Sequence, residues 1–167
     1  MPALTIYTIG HSNHPADRFV ALLQSHGIRL LADIRSQPAS RFSPQFNRAA
    51  LAVMLETSGI TYRWLGDRLG GRPADPALYD AGGHPDYARM TAVPAFRHGI
   101  DDLLAAAATT PTAIMCAERD PQKCHRNQLV TPALLAAGAG VRHILGDGAL
   151  LTAALQQRAG AQSRLFD

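Results

Sequence analysis

Apolar residues fall in short runs separated by amphipathic stretches, and the alternation repeats along the chain. Leu4 to Ile9 is rich in β-formers and Gly10 ends the run, which predicts a first strand. Pro15 to His26 places Phe19, Leu22 and Leu23 on one side at helical spacing, with Gly27 as a stop. Ile28 to Ile34 predicts a second strand, Ala49 to Thr57 a helix with Leu51, Met54 and Leu55 inward, and Ile60 to Leu65 a third strand. The stretch from Gly66 to Pro94 is rich in Gly, Pro and Asp. It predicts a loop with a short helix, long enough to act as a lid or binding loop. Ala95 to Ala108 predicts a helix, Thr112 to Cys116 a strand, His125 to Ala137 a helix and Val141 to Leu145 a strand. Gly148 to Arg158 predicts a last helix.

Strands alternating with helices predict an α/β fold, with a mostly parallel sheet covered by helices on both faces. The length, 167 residues, fits one domain. The expected organisation is a single domain over residues 1–158 and an exposed C-terminal tail over 159–167. Hydrophobic residues make up 47% of the chain, enough for one core, and charged residues only 17%, which excludes broad disorder. No apolar run reaches the length of a membrane span and no secretory leader pattern opens the sequence, so the expected location is cytoplasmic, without a membrane partner. Two cysteines do not suggest a disulfide scaffold.

In parallel sheets ligands bind beyond the carboxyl ends of the strands. Three polar sets are expected there: Gly10-His11-Ser12, Asp33-Ile34-Arg35 and Cys116-Ala117-Glu118. The densest reactive stretch runs from Cys116 to Arg126. A thiol at a helix start beside His and Arg has a lowered pKa, so Cys116 or Cys124 is a candidate nucleophile or redox centre. Glu118, His125 and His11 are candidate acid–base or orienting groups. Arg126 suits an anion.

The blander readings stay open: a buried structural Cys116, a capping His11, and an Asp33–Arg35 salt bridge. Cys116, Cys124, His125 and His11 are ligand types zinc accepts, but no C-x2-C pair is present. No metal-ligand set is therefore assigned, and zinc stands as an alternative cofactor.

Formal charge is +3, and Lys123 is the one lysine among the cations. Arginine suits bidentate contact with phosphate. Arg35, Ser40, Arg41 and Arg126 are therefore candidate substrate contacts, and Arg41-Phe42 could meet a nucleotide by charge and stacking. Gly70-Gly71 could let backbone approach a ligand, or simply form a turn. Tyr62 and Trp64 share a strand face and read as core. The tail carries Gln162, Leu165 and Phe166 in the order Gln-x-x-Leu-Phe. It resembles the short peptide by which bacterial DNA-repair and replication proteins dock on the sliding clamp, although Ser163 stands where the strong form prefers Leu. The alternative is a tail folded back on the core.

Thr8-Ile9-Gly10-His11-Ser12, Asp33-Ile34-Arg35 with Pro38 and Ser40-Arg41, Leu69-Gly70-Gly71, Cys116-Ala117-Glu118 and Cys124-His125-Arg126 occur together in order. As a set, from about Thr5 to Ile144, they resemble the family known as domain of unknown function 488. The resemblance implies a compact α/β domain in which these motifs form one site, and it implies no particular activity. Three functions follow as expectations. The first is an enzyme, a hydrolase or transferase, on a phosphate-bearing substrate such as a nucleotide or nucleic acid. The second is a nucleic-acid-binding DNA-repair accessory recruited to the clamp. The third is a thiol redox or metal-binding module.

Overall fold

A computed structural model describes residues 4–154. The tail segment carrying Gln162, Leu165 and Phe166 lies outside the described residues. Six strands form one sheet: β1 (Thr5–Gly10), β2 (Leu30–Asp33), β3 (Thr61–Trp64), β4 (Thr112–Cys116), β5 (Gly140–Ile144) and β6 (Leu150–Thr152). Their order is β3-β2-β4-β1-β5-β6. The first five are parallel and β6 is antiparallel to β5. Every residue of β2 and β4 is buried, as expected of central strands covered on both faces. β3 alternates exposed and half-buried residues, as an edge strand does.

The two faces carry separate cores. On one, α1 (Ala16–Ser25) and α2 (Arg48–Thr57) send Phe19, Leu22, Leu23, Leu51 and Leu55 onto Ile9, Leu31, Ala113 and Met115. On the other, α5 (Pro94–Ala107) and α6 (Thr131–Ala136) send Phe96, Ile100, Leu103 and Leu134 onto Ile6, Ala32, Ile34 and Ile114. Alternate residues of each strand divide between the faces, as the pleat requires. Each buried Leu or Phe contributes about 2 kcal/mol of transfer free energy, so the two helix layers fix the sheet edge on which the polar motifs sit.

The chain departs from the sequence-based expectation in three places. Residues 66–94 hold α3 (Gly66–Leu69), a 3₁₀ turn (Pro76–Leu78) and α4 (Tyr87–Thr91) rather than a loop with one helix. The expected helix from His125 begins as a π turn (Arg126–Val130) before α6. The expected helix at Gly148 is instead a reversal into β6. Gly148 adopts φ +90°, Gly148 and Leu145 exchange the chain direction through backbone hydrogen bonds, and Asp147 Oδ1 accepts from Ala149 N. Gly at positive φ next to Asp is hairpin chemistry, and it overrides the helical propensity of the alanines that follow.

Two glycines test this architecture against each other. A Cβ on Gly10 would run into the Glu118 carbonyl, whereas one on Gly140 would make only ordinary contacts at 3.7 Å. Gly10→Ala is expected to destabilise the fold by more than about 2 kcal/mol. Gly140→Ala is expected to stay within about 0.5 kcal/mol of the parent. Urea denaturation of the two variants measures the difference.

Candidate functional site

The site follows from the topology. β1 and β4 are neighbours, but β1 leads into α1 on one face while β4 leads into the π turn and α6 on the other. Diverging connections open a crevice at the strand ends. Here the two loops run side by side. His11 N donates to Cys116 O and Ser12 N to Ala117 O, both at 2.9 Å. Ser12 sits at φ +48°, the one described non-glycine residue in the left-handed region. Such backbone costs of order 1 kcal/mol and persists where surrounding contacts impose it. The Ser12 carbonyl is held by His11 Nδ1 at 2.7 Å and by Ser43 Oγ at 3.3 Å.

Asp33, Arg35 and His11 form one buried network on the α1 side. Arg35 grips Asp33 bidentately, Nε to Oδ1 at 2.9 Å and Nη2 to Oδ2 at 2.8 Å. Its Nη2 also donates to the Phe46 carbonyl at 2.7 Å, and Nη1 meets His11 Nε2 at 3.3 Å. Tyr62 OH donates to Asp33 Oδ2 at 2.6 Å. His11 stacks on Phe46 with ring centroids 4.6 Å apart. Burial pushes His11 down to about 4, the Ser12 carbonyl opposes the shift, and Arg35 adds to it. The neutral ring therefore donates through Nδ1 and accepts at Nε2. Arg35 is buried, and four of its five N–H groups are engaged within the protein, where the sequence suggested a phosphate ligand.

The cysteine motifs gather on the α5 and α6 side. A 3₁₀ turn at Pro121–Lys123, opened by Asp120 accepting from Gln122 N, brings the chain back so that Cys124 meets Cys116. The structure pairs them as a disulfide across eight residues of sequence. Sequence reading did not anticipate the pairing, because the spacing alone does not reveal a returning turn. His125 Nε2 donates to the Ile34 carbonyl at 3.0 Å, and its Nδ1 faces Cys124 Sγ at 3.7 Å. Burial holds His125 below the usual histidine range, so it stays neutral. Gly71 lies against the His125 ring and Gly70 against Ser36 Oγ, in each case too close for a Cβ. The Arg126 amide donates to Cys124 Sγ at 3.4 Å. Its side chain is fully buried. Nη1 donates to Thr8 Oγ1, Nη2 donates to the carbonyls of Glu118 and Arg119, and Nε is without a partner. Burial pushes Arg126 down to about 10.

The expected residues thus sort into a buried layer and a rim. Glu118 is exposed, and it is its backbone carbonyl rather than its carboxylate that touches Arg126. Ser40 organises its own loop: its amide donates to Asn47 Oδ1, and its hydroxyl accepts from Ser43 N. Arg41 is exposed beside Phe42, whose side chain is 94% exposed. Burial, with Arg119 and Arg18 nearby, lowers the pKa of His14. Among the described residues no three His, Cys, Asp or Glu side chains are grouped as a metal site. No described helix is long and apolar enough to cross a membrane. Sequence reasoning named Thr8 and the stretch that holds Arg119 without giving either a role, and it missed His14 and His143. Thr8 and His143 were visible as polar residues within apolar strands, and they join through a 2.6 Å hydrogen bond.

The buried neutral histidines fix a pH dependence. His11 and His143 titrate near 4 in the folded chain, against 6.5 for the ordinary group. As pH falls below about 6.5 the unfolded chain takes up protons that the folded chain does not, so stability declines until about pH 4. Thermal unfolding followed from pH 7 to pH 4 is expected to show a falling midpoint, and His11→Gln is expected to flatten part of that slope.

No curated protein and no solved structure shows significant similarity to this chain. Residues 15–131, from the start of the α1 segment through the Cys-His-Arg motif, match the family described as domain of unknown function DUF488. The match takes in Asp33, Arg35, Gly70, Gly71 and both cysteines, and the chain belongs to the DUF488 family.

Proposed function

We propose that the protein is an enzyme acting on a phosphate-bearing substrate, a nucleotide or nucleic acid, with Cys124 as nucleophile and His125 as its base. One observation carries this reading: the Ile34 carbonyl holds His125 Nε2 and Nδ1 faces Cys124 Sγ, so a neutral ring that donates through Nε2 presents Nδ1 as the acceptor. A nucleophile, a base and a group that orients the base are the three parts of an activated thiol. Transfer of the thiol proton to Nδ1 leaves a thiolate that the Arg126 amide stabilises. The π turn that begins at Arg126 adds support, because such turns occur often at functional sites.

The phosphate would be held at the rim. Arg18 and Arg119 stand near His14, just before α1, where Pro15 offers no side-chain cap and Asp17 Oδ1 accepts from Arg18 N. Arg41 and the exposed Phe42 offer charge and a stacking surface to a base. Both sulfurs are buried, so substrate reaches Cys124 only when the elements covering it are displaced. The bond to Cys116 must also first be reduced by an external dithiol, which supplies two electrons and two protons and is itself oxidised to a disulfide.

The pairing of the cysteines favours a second reading, a thiol–disulfide exchange module in which Cys116 resolves what Cys124 attacks. One variant separates the two. With reduced protein and a panel of nucleotides and oligonucleotides, Cys124→Ala is expected to lower turnover by about a thousandfold or more with the fold intact. Cys116→Ala is expected to keep turnover and lose its dependence on reductant. Turnover that survives Cys124→Ala sinks the nucleophile assignment, and loss of disulfide exchange in Cys116→Ala supports the second reading.

The base is tested by alkylation. Iodoacetamide labelling of Cys124 in reduced Cys116→Ala protein is expected to slow about tenfold at pH 7 when His125 is changed to Gln. An unchanged rate removes His125 from the thiol's activation.

A further inference from the structure

A cavity of about 320 Å³ opens between the π turn, α6 and the β5–β6 hairpin. Asn127, Thr131, Leu135, His143, Thr152 and Ala153 are among its walls. Its size is at the lower end of the range for small-ligand sites. No Arg, Lys, Asp or Glu stands among its described lining residues.

The polar end of the cavity is set by a chain of hydrogen bonds that starts at a buried cation. Arg126 Nη1 donates to Thr8 Oγ1 at 3.3 Å. Thr8 Oγ1 lies 2.6 Å from His143 Nδ1, and among the described residues no other acceptor for the Thr8 proton is within reach. The hydroxyl therefore donates to Nδ1. Burial and the neighbouring Arg126 keep the imidazole neutral, so its one proton is on Nε2. That nitrogen has no partner among the described residues, and the ring forms part of the cavity wall. A cation feeding a hydroxyl that feeds an imidazole polarises each bond in the same direction, which strengthens the terminal N–H as a donor.

We propose that this cavity binds a small monocarboxylate with an apolar body, one carboxylate oxygen accepting from His143 Nε2 and the other from the Asn127 amide. Pro132, Leu135 and Ala153 face the body. The acid is singly charged because the described walls offer neutral donors and no cation, with the Arg126 charge one layer behind. A dianion such as phosphate would be left under-neutralised there. The site is independent of the cysteine chemistry and is read by binding alone.

The test uses the full chain, ¹⁵N-labelled, with hexanoate and benzoate as probes and hexanamide as the uncharged control. Imidazole ¹H–¹⁵N correlations are expected to show His143 in the Nε2–H form. Its resonances are expected to shift saturably with either acid, at a Kd on the order of 1 mM or tighter. Hexanamide is expected to bind at least about tenfold more weakly. Leu135→Trp, which fills the cavity from a half-buried position, is expected to abolish the shift while leaving the thermal unfolding midpoint near the parent's. The proposal is overturned by an Nδ1–H tautomer, by no saturable shift with either acid, by equal binding of hexanamide, or by binding that survives Leu135→Trp.

Discussion

A fully buried guanidinium without a carboxylate beside it holds the carboxyl edge of this sheet together. Desolvating such a charge costs several kcal/mol unless its donors are satisfied. Arg126 meets that demand at its two terminal nitrogens with carbonyls and one hydroxyl, and leaves Nε without a partner. It binds Glu118 O and Arg119 O of the loop after β4 and Thr8 Oγ1 of β1, and its own amide reaches Cys124. Together the bonds tie three segments to one side chain and its amide. The loop at 118–119 cannot lift away without exposing a cation to an apolar interior, and Gly10 is pressed against that same loop. The orientation of the thiol, the closure of the crevice and the donor state of His143 all follow from where this one charge is placed.

The second buried cation is handled in the opposite way. Arg35 has its carboxylate, Asp33, two residues along the chain, and Tyr62, Phe46 and His11 complete the set. A pair so fully bonded is stiff, and it is already neutralised. It positions the His11 ring, and through the Ser12 carbonyl it supports the left-handed backbone at the switch point. The two sides of the edge differ in how they hold a cation: the α1 side pairs it with a buried carboxylate, while the α6 side sets it among carbonyls, with the Asp120 and Glu118 charges acting on it without an ion pair.

Much of the fold was legible because the determinants were local. The apolar runs of β2 and β4 and the spacing of Phe19, Leu22 and Leu23 each specify an element without reference to anything distant. The family motifs marked the edge, since residues at strand ends in a parallel sheet must converge. What the sequence hid were relations that depend on returning chain. The 3₁₀ turn at Pro121–Lys123 brings Cys124 to Cys116, and no periodicity announces it. The roles of Arg35 and Arg126 were hidden for a related reason: arginine reads as a surface phosphate ligand until burial and partners are known. The hairpin at Gly148 was misread because alanine-rich sequence has helical propensity, while the turn depends on the φ that glycine alone tolerates there.

The π turn resolves a conflict built into the Cys-His-Arg order. His125 must face Ile34 at the end of β2, while Arg126, its immediate neighbour, must point inward to Thr8 on β1 and to the loop after β4. Adjacent side chains on a regular helix diverge by about 100°, and the ladder would continue unbroken beneath them. Here the Cys124 carbonyl accepts from both Asn127 and Gln128, and the Arg126 carbonyl accepts from the Thr131 amide and hydroxyl together. Widening the turn by one residue lets the helix begin beneath the sulfur, carry the guanidinium into the core, and regain α geometry at Thr131-Pro132. Pro132 lacks an amide hydrogen, so the backbone pays nothing further for the changed register where α6 starts. The same widened turn leaves Asn127 and Thr131 on the cavity wall beside His143, so the geometry that aims the thiol also shapes the neighbouring pocket.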